Sequence, residues 1–172
     1  MTSELLDAAL VEEATKKSGL IWVQGSGDAG TGPARPLWHV WHAGAACVLG
    51  DGPGEQPLTG LTDGGEAVVT VRSKDKGGRV VAWPATVVEL APGSPEWDAA
   101  VAELKGKRLN AGDGEEMPLR WRRECRVLRL QPHGTTLPLP DDSLAAPPPA
   151  TPAVTREPIP AALPRLLRRK RR

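Results

Sequence analysis

The 172-residue chain contains no Phe and no Tyr, so its six Trp must supply all the aromatic bulk of a core. Only two cysteines are present, Cys47 and Cys125, too few for a disulfide framework or a four-thiolate zinc site. No apolar run approaches the roughly 20 residues that span a bilayer, and the N-terminus lacks the basic-then-apolar pattern of a secretory leader. The expectation is a cytoplasmic protein in a reducing setting, with no membrane span. Nucleophile elbow, lysine-bearing phosphate loop and paired-carboxylate motif are all missing.

What is present is an ordinary 40% of apolar residues, enough for a core, and an excess of Gly (19) and Pro (18) that demands extensive loops and linkers. The abundance of Ala, Gly, Pro and Arg looks like GC-rich bacterial codon usage. The net charge of +1 conceals two halves. Residues 1–132 carry 15 Lys/Arg against 18 Asp/Glu, a net of −3, whereas residues 133–172 carry 7 against 3, a net of +4. The first part therefore has no overall field to attract nucleic acid, and an electrostatic partner of that kind belongs to the tail.

Nine of the 18 prolines lie in residues 133–172, and Ala145–Pro152 is almost wholly Ala and Pro. Such a segment cannot bury a core. The chain thus divides into a folded domain, residues 1–132, and a disordered linker and tail, residues 133–172. The tail closes with six cations between Arg165 and Arg172, a run suited to salt-sensitive nucleic-acid contact or simply to a solubilising end.

Within residues 1–132 the spacing predicts a helix over Ser3–Lys17 with an apolar stripe at Leu5, Leu6, Ala9 and Leu10, stopped by Gly19. Leu20–Val23 reads as a short strand, and Gly25–Pro33 as a loop. Leu37–His42 and Ala45–Leu49 form a hairpin across Ala43-Gly44. Gly50–Gly65 is a second glycine-rich loop. Ala67–Arg72 and Arg79–Trp83 form another strand pair, with Pro84 marking an edge or bulge before Ala85–Leu90. Ser94-Pro95 opens a helix with Trp97, Ala100, Val101 and Leu104 on one face. Arg120–Leu130 reads as a final strand, its five arginines (Arg120, Arg122, Arg123, Arg126, Arg129) alternating between faces. Trp22, Trp83, Trp97 and Trp121 read as core. Connections this short favour an antiparallel barrel or sheet crossed by a helix over a doubly wound fold.

Two motif-like patterns carry no chemistry. Gly25, Gly27 and Gly30 match a dinucleotide fingerprint, but the prolines at 33 and 36 leave no helix to receive a pyrophosphate. His39 and His42, three apart on a strand, point to opposite faces and would not share a metal ion, so no metal site is expected.

The segment Pro36-Leu37-Trp38-His39-Val40-Trp41, the loop after it, the Val-rich hairpin, the Ser94–Leu104 helix and the closing Arg129-Leu130-Gln131-Pro132 resemble the pyridoxamine 5′-phosphate oxidase-like, flavin-binding split barrels. That resemblance covers about residues 3–132. It implies a mainly β (α+β), six-stranded antiparallel split barrel with an N-terminal helix and one crossing helix, usually a homodimer. Flavin mononucleotide (FMN) or a deazaflavin would lie along Trp38, His39, Val40 and Trp41, and an oxidoreductase would follow. The family's phosphate segment has Ser/Thr and a downstream cation, whereas Gly50–Gly60 here has no basic residue and two acids, Asp51 and Glu55. Phosphate would then fall to the amides of Gly52 and Gly54 or to Arg72, Ser73 and Lys74. His39 is the candidate acid or base. The departure also supports an alternative, a degenerate barrel without flavin that serves as a ligand-binding or protein-interaction module.

Overall fold

The computed structural model describes residues 3–27, 30–74, 78–108 and 113–138. In chain order they form α1 (Ser3–Lys17), β1 (Leu20–Gly27), β2 (Gly30–Thr31), β3 (Arg35–Trp38), β4 (Val40–His42), β5 (Ala45–Gly50), β6 (Glu66–Arg72), β7 (Arg79–Glu89), α2 (Pro95–Lys107), α3 (Met117–Glu124) and β8 (Arg126–Pro132), with one 3-10 turn at Gly114–Glu116. All strand pairs are antiparallel, in the order β2-β1-β6-β7-β8-β5-β4, and β3 pairs β1.

The sheet curls because one ribbon joins its two ends. Its first half, β3, lies against β1, and its second half, β4, lies against β5, with the exchange at His39. Counting β3 and β4 as one broken ribbon, and β2 as the tip of the β1 hairpin, leaves the six ribbons of the expected split barrel. Gln56 plugs the split. Its side-chain Oε1 accepts from Trp38 N (2.9 Å), and its Nε2 donates to Trp38 O and Leu49 O (3.0 Å each), as a neighbouring strand would.

Strand alternation builds two cores. Ile21, Val23, Leu37, Val48, Val69, Val71, Trp83, Val87, Leu128 and Leu130 fill the inside of the barrel. On the outer side Cys47, Leu49 and Val127 pack beneath Trp97, Ala100, Val101 and Leu104 of α2 and Met117 and Trp121 of α3. All six residues of β5 are consequently buried. The helix after Ser94 forms as expected: Ser94 Oγ accepts from Trp97 N (3.1 Å), and Pro95 occupies the first turn.

Several expectations need correction. The stripe Leu5, Leu6, Ala9 and Leu10 faces outward, with the three leucines 60%, 53% and 45% exposed; α1 instead buries Val11 and Thr15. Gly25–Pro33 is not all loop, since β1 runs to Gly27 and pairs antiparallel with β2. Glycine stands at 25 because a Cβ there would lie 2.1 Å from Gly60 O.

Pro84 lies within β7, which β6 and β8 flank, so it is not at an edge. Its carbonyl accepts from His133 N (3.2 Å) just where β8 ends, and its nitrogen faces that same side, so the missing N–H costs only the reciprocal bond at the end of the β7–β8 ladder. The irregularity falls between Val71 and Arg72 instead. Arg120–Glu124 is helical, not extended: Pro118 sits in the first turn of α3, and Met117 and Trp121 bury one helical face. Trp22 is half-buried rather than core.

Past Pro132 the chain continues along the barrel, and Leu137 N donates to Ala82 O (2.7 Å). The remainder of the expected linker and tail, from residue 139 onward and including Arg165–Arg172, lies outside the described residues. No described helix is long and apolar enough to cross a membrane.

Candidate functional site

The outer face of β1, β3 and β6 carries a cleft whose residues come from distant parts of the chain. Leu20 lies opposite Trp38, and Trp22 opposite both Pro36 and Thr70, so these side chains share the face that Ile21, Val23 and Leu37 leave for the interior. Leu20 is 49% exposed there. The Arg72 guanidinium stacks over the Trp22 ring at 4.1 Å, and the Arg108 guanidinium lies over the Trp38 ring at 5.8 Å. Ser18, Gly19, Leu20, Trp22, Arg72, Ser73 and Lys74 enclose about 380 Å³. An adjoining hollow of about 220 Å³ adds Lys17 and Val80.

The electrostatics are one-sided. Lys107, at the end of α2, has its pKa lowered first by burial and then by the like charge of Lys74. Among the described residues no carboxylate forms an ion pair with Arg72, Lys74 or Lys107. Arg72 Nε is buried and has no hydrogen-bond partner among them. An anion with several acceptor oxygens is the complement of such a cluster.

The structure brings Trp38, Arg72, Ser73 and Lys74 to this barrel edge and places the other sequence-selected residues elsewhere. Trp41 faces inward, where its ring meets Trp83 edge-on at 6.3 Å, so Trp38 and Trp41 lie on opposite faces. Val40 is buried beneath α2.

His39 is fully buried and lines none of the clefts described here. Its Nε2–H donates to Thr15 O (2.8 Å), which leaves Nδ1 as an unprotonated acceptor without a partner among the described residues. Burial lowers its pKa to about 4, so at neutral pH it is an uncharged tie between the barrel and α1.

The loop after β5 is closed by its own side chains. Asp51 Oδ1 accepts from Leu58 N (2.8 Å) and Asp51 Oδ2 from Arg126 Nη1 (3.0 Å). Glu55, with a side chain only 1% exposed, holds Arg120 (3.4 Å) and Arg108 (3.5 Å) and accepts from Trp121 Nε1 (3.2 Å). A Cβ at Gly52 would sit 2.3 Å from Cys125 Sγ, so this glycine serves packing, while Gly54 has a positive φ of 73° that turns the loop. The two acids thus act inside the fold.

Sequence reasoning missed Trp22, Lys107 and Arg108. The alternation of Leu20 and Trp22 against Ile21 and Val23 was a visible signal for an outward Trp22. The approach of α2's last turn to the hairpin after β6 left no local signal.

No family model and no curated protein matches this sequence. Solved structures do match in fold. The heme storage protein HutZ from Vibrio cholerae superposes with a TM-score of 0.56 at 14% identity, covering 80% of this chain and 94% of that one. A 5-nitroimidazole antibiotic resistance protein from Bacteroides thetaiotaomicron, so named provisionally, gives 0.52 at 10% identity over 79% and 83%. An F420 reductase gives 0.50 at 13% identity over 72% and 93%. The chain shares the split-barrel fold with these proteins, and the likeness is one of fold.

Proposed function

We propose that this chain is a split-barrel protein that binds a phosphorylated flavin or deazaflavin on the outer face of β1, β3 and β6. The flat ring system would lie against Leu20, Trp22 and Trp38, and the phosphate would meet Arg72, Ser73, Lys74 and Lys107. The observation that carries this reading is a cationic cluster, without an ion-paired carboxylate among the described residues, beside two indoles that each already hold a guanidinium. Arg72 Nε, buried and without a partner among the described residues, would supply a donor for a phosphate oxygen. A second subunit covering the half-exposed Leu20 and Trp22 would complete the site, as in the homodimer that the family resemblance implies.

A bound flavin supplies hydride or electron transfer, and oxidoreductase activity would rest on that chemistry. The chain's own side chains at the cleft bind and orient. Among the described residues that line the cleft there is no His, Cys, Asp or Glu, so an acid–base step would fall to the substrate or to water.

Titration of the purified full-length chain with FMN, F420 and heme, followed by absorption, tests the reading. Uptake of FMN or F420, weakened about tenfold or more by Arg72→Ala, is expected. Failure to take up either flavin overturns it, and uptake of heme alone replaces it. The second reading, a barrel without flavin acting as a binding or interaction module, draws support from the self-closed Gly50–Gly60 loop, which offers no cation to a phosphate.

A further inference from the structure

A separate cavity of about 320 Å³ opens at the barrel end covered by α1, and its lining has the opposite character from the cleft at Arg72. Trp41 and Trp83, in edge-to-face contact, join Val11 as its apolar wall. Glu4 and Asp7, three residues apart on α1, and Glu12, a further five along, all line it and bring three carboxylates. Among the described residues no Lys or Arg lines it.

Internal partners answer this charge only in part. Glu12 pairs with Lys16. Asp7 Oδ2 accepts from Thr136 N (3.4 Å) and Thr136 Oγ1 (3.1 Å), bonds that leave its negative charge in place. His133, the lining's other titratable group, is turned to Glu66, 2.6 Å away. Glu4 has no hydrogen bond or ion pair among the described residues. The Trp83 Nε1 is buried and has no hydrogen-bond partner among the described residues.

Carboxylates beside indole faces in a concave, largely apolar space are the recognition elements for an organic cation. We propose that this cavity binds a small ammonium compound with an aryl or branched alkyl body. The ammonium would sit among Glu4, Asp7 and Glu12, and the apolar body against Trp41 and Trp83. A phosphate would be repelled here, so this site and the cofactor cleft select ligands of opposite charge. The proposal does not depend on flavin binding.

The test is calorimetric titration of the full-length chain with 4-phenylbutylammonium, its neutral analogue 4-phenylbutanol and the anion 4-phenylbutyrate. The ammonium is expected to bind about tenfold or more tightly than the alcohol, and the carboxylate not to bind. Glu4→Gln and Asp7→Asn are each expected to weaken the ammonium several-fold, while Glu103→Gln on the exposed side of α2 leaves it unchanged. Because Glu4 is exposed and makes no internal bond, its variant keeps the test independent of folding. Absence of ammonium binding, equal binding of all three probes, or affinity unmoved in both Glu4→Gln and Asp7→Asn overturns the proposal.

Discussion

The Arg72 guanidinium carbon stands 4.1 Å from the centroid of the Trp22 ring, so two adjacent strands are joined on their outer face by a stacked cation. Lysine keeps the charge but not the planar group that stacks. Arg72→Lys is therefore expected to lower stability by about 0.5–1 kcal/mol, read as a shift in the urea midpoint. A midpoint that does not move would show that the stack contributes nothing to folding.

Glu55 ties the loop after β5 to both covering helices. Removing its carboxylate in Glu55→Ala leaves the Arg108 and Arg120 guanidinium groups without their shared partner and Trp121 Nε1 without an acceptor. A loss of about 2–3 kcal/mol is expected in denaturant unfolding, since both arginines remain partly solvated. Glu55→Gln keeps an acceptor for the indole and should cost less. If the two variants prove equally stable, the charge is not what holds the loop.

His39 makes stability depend on pH. Its pKa in the folded chain is lowered from 6.5 to about 4, chiefly by burial. Between those values the unfolded chain binds a proton that the folded chain does not, so this contribution is complete above pH 6.5 and is lost as pH falls toward 4. The shift corresponds to roughly 3 kcal/mol. Comparison of the full-length chain with His39→Gln by urea unfolding at pH 7.5, 5.5 and 4.5 should show the difference between them shrinking with acid. A constant difference would mean that the ring does not titrate in this range.

Much of the barrel was legible in short-range pattern. Ser94-Pro95 announced α2, and Ala43-Gly44 announced the β4–β5 turn, because capping and turn chemistry act within a few residues. Other errors came from choosing the wrong period. Met117, Trp121 and Cys125 recur every four residues, a helical spacing, yet the apolar run after Cys125 drew the whole segment into a strand reading. The alternation that separates His39 from His42 separates Trp38 from Trp41 just as surely, and it moves one of the two indoles into the interior. The cleft itself was half legible. Arg72, Ser73 and Lys74 stood out as a basic turn, but their meeting with Trp22 and Lys107 depends on strand register and on where α2 ends, which only tertiary packing decides.

Gln56 gives the split its character. Where β3 parts from β5, a carboxamide rather than a further strand supplies the bonds, two to Trp38 and one to Leu49. Backbone ladders tolerate many substitutions because every residue type offers the same N–H and C=O. A bridge made by a side chain has no such redundancy, and there the identity of a single loop residue decides whether the bonds form.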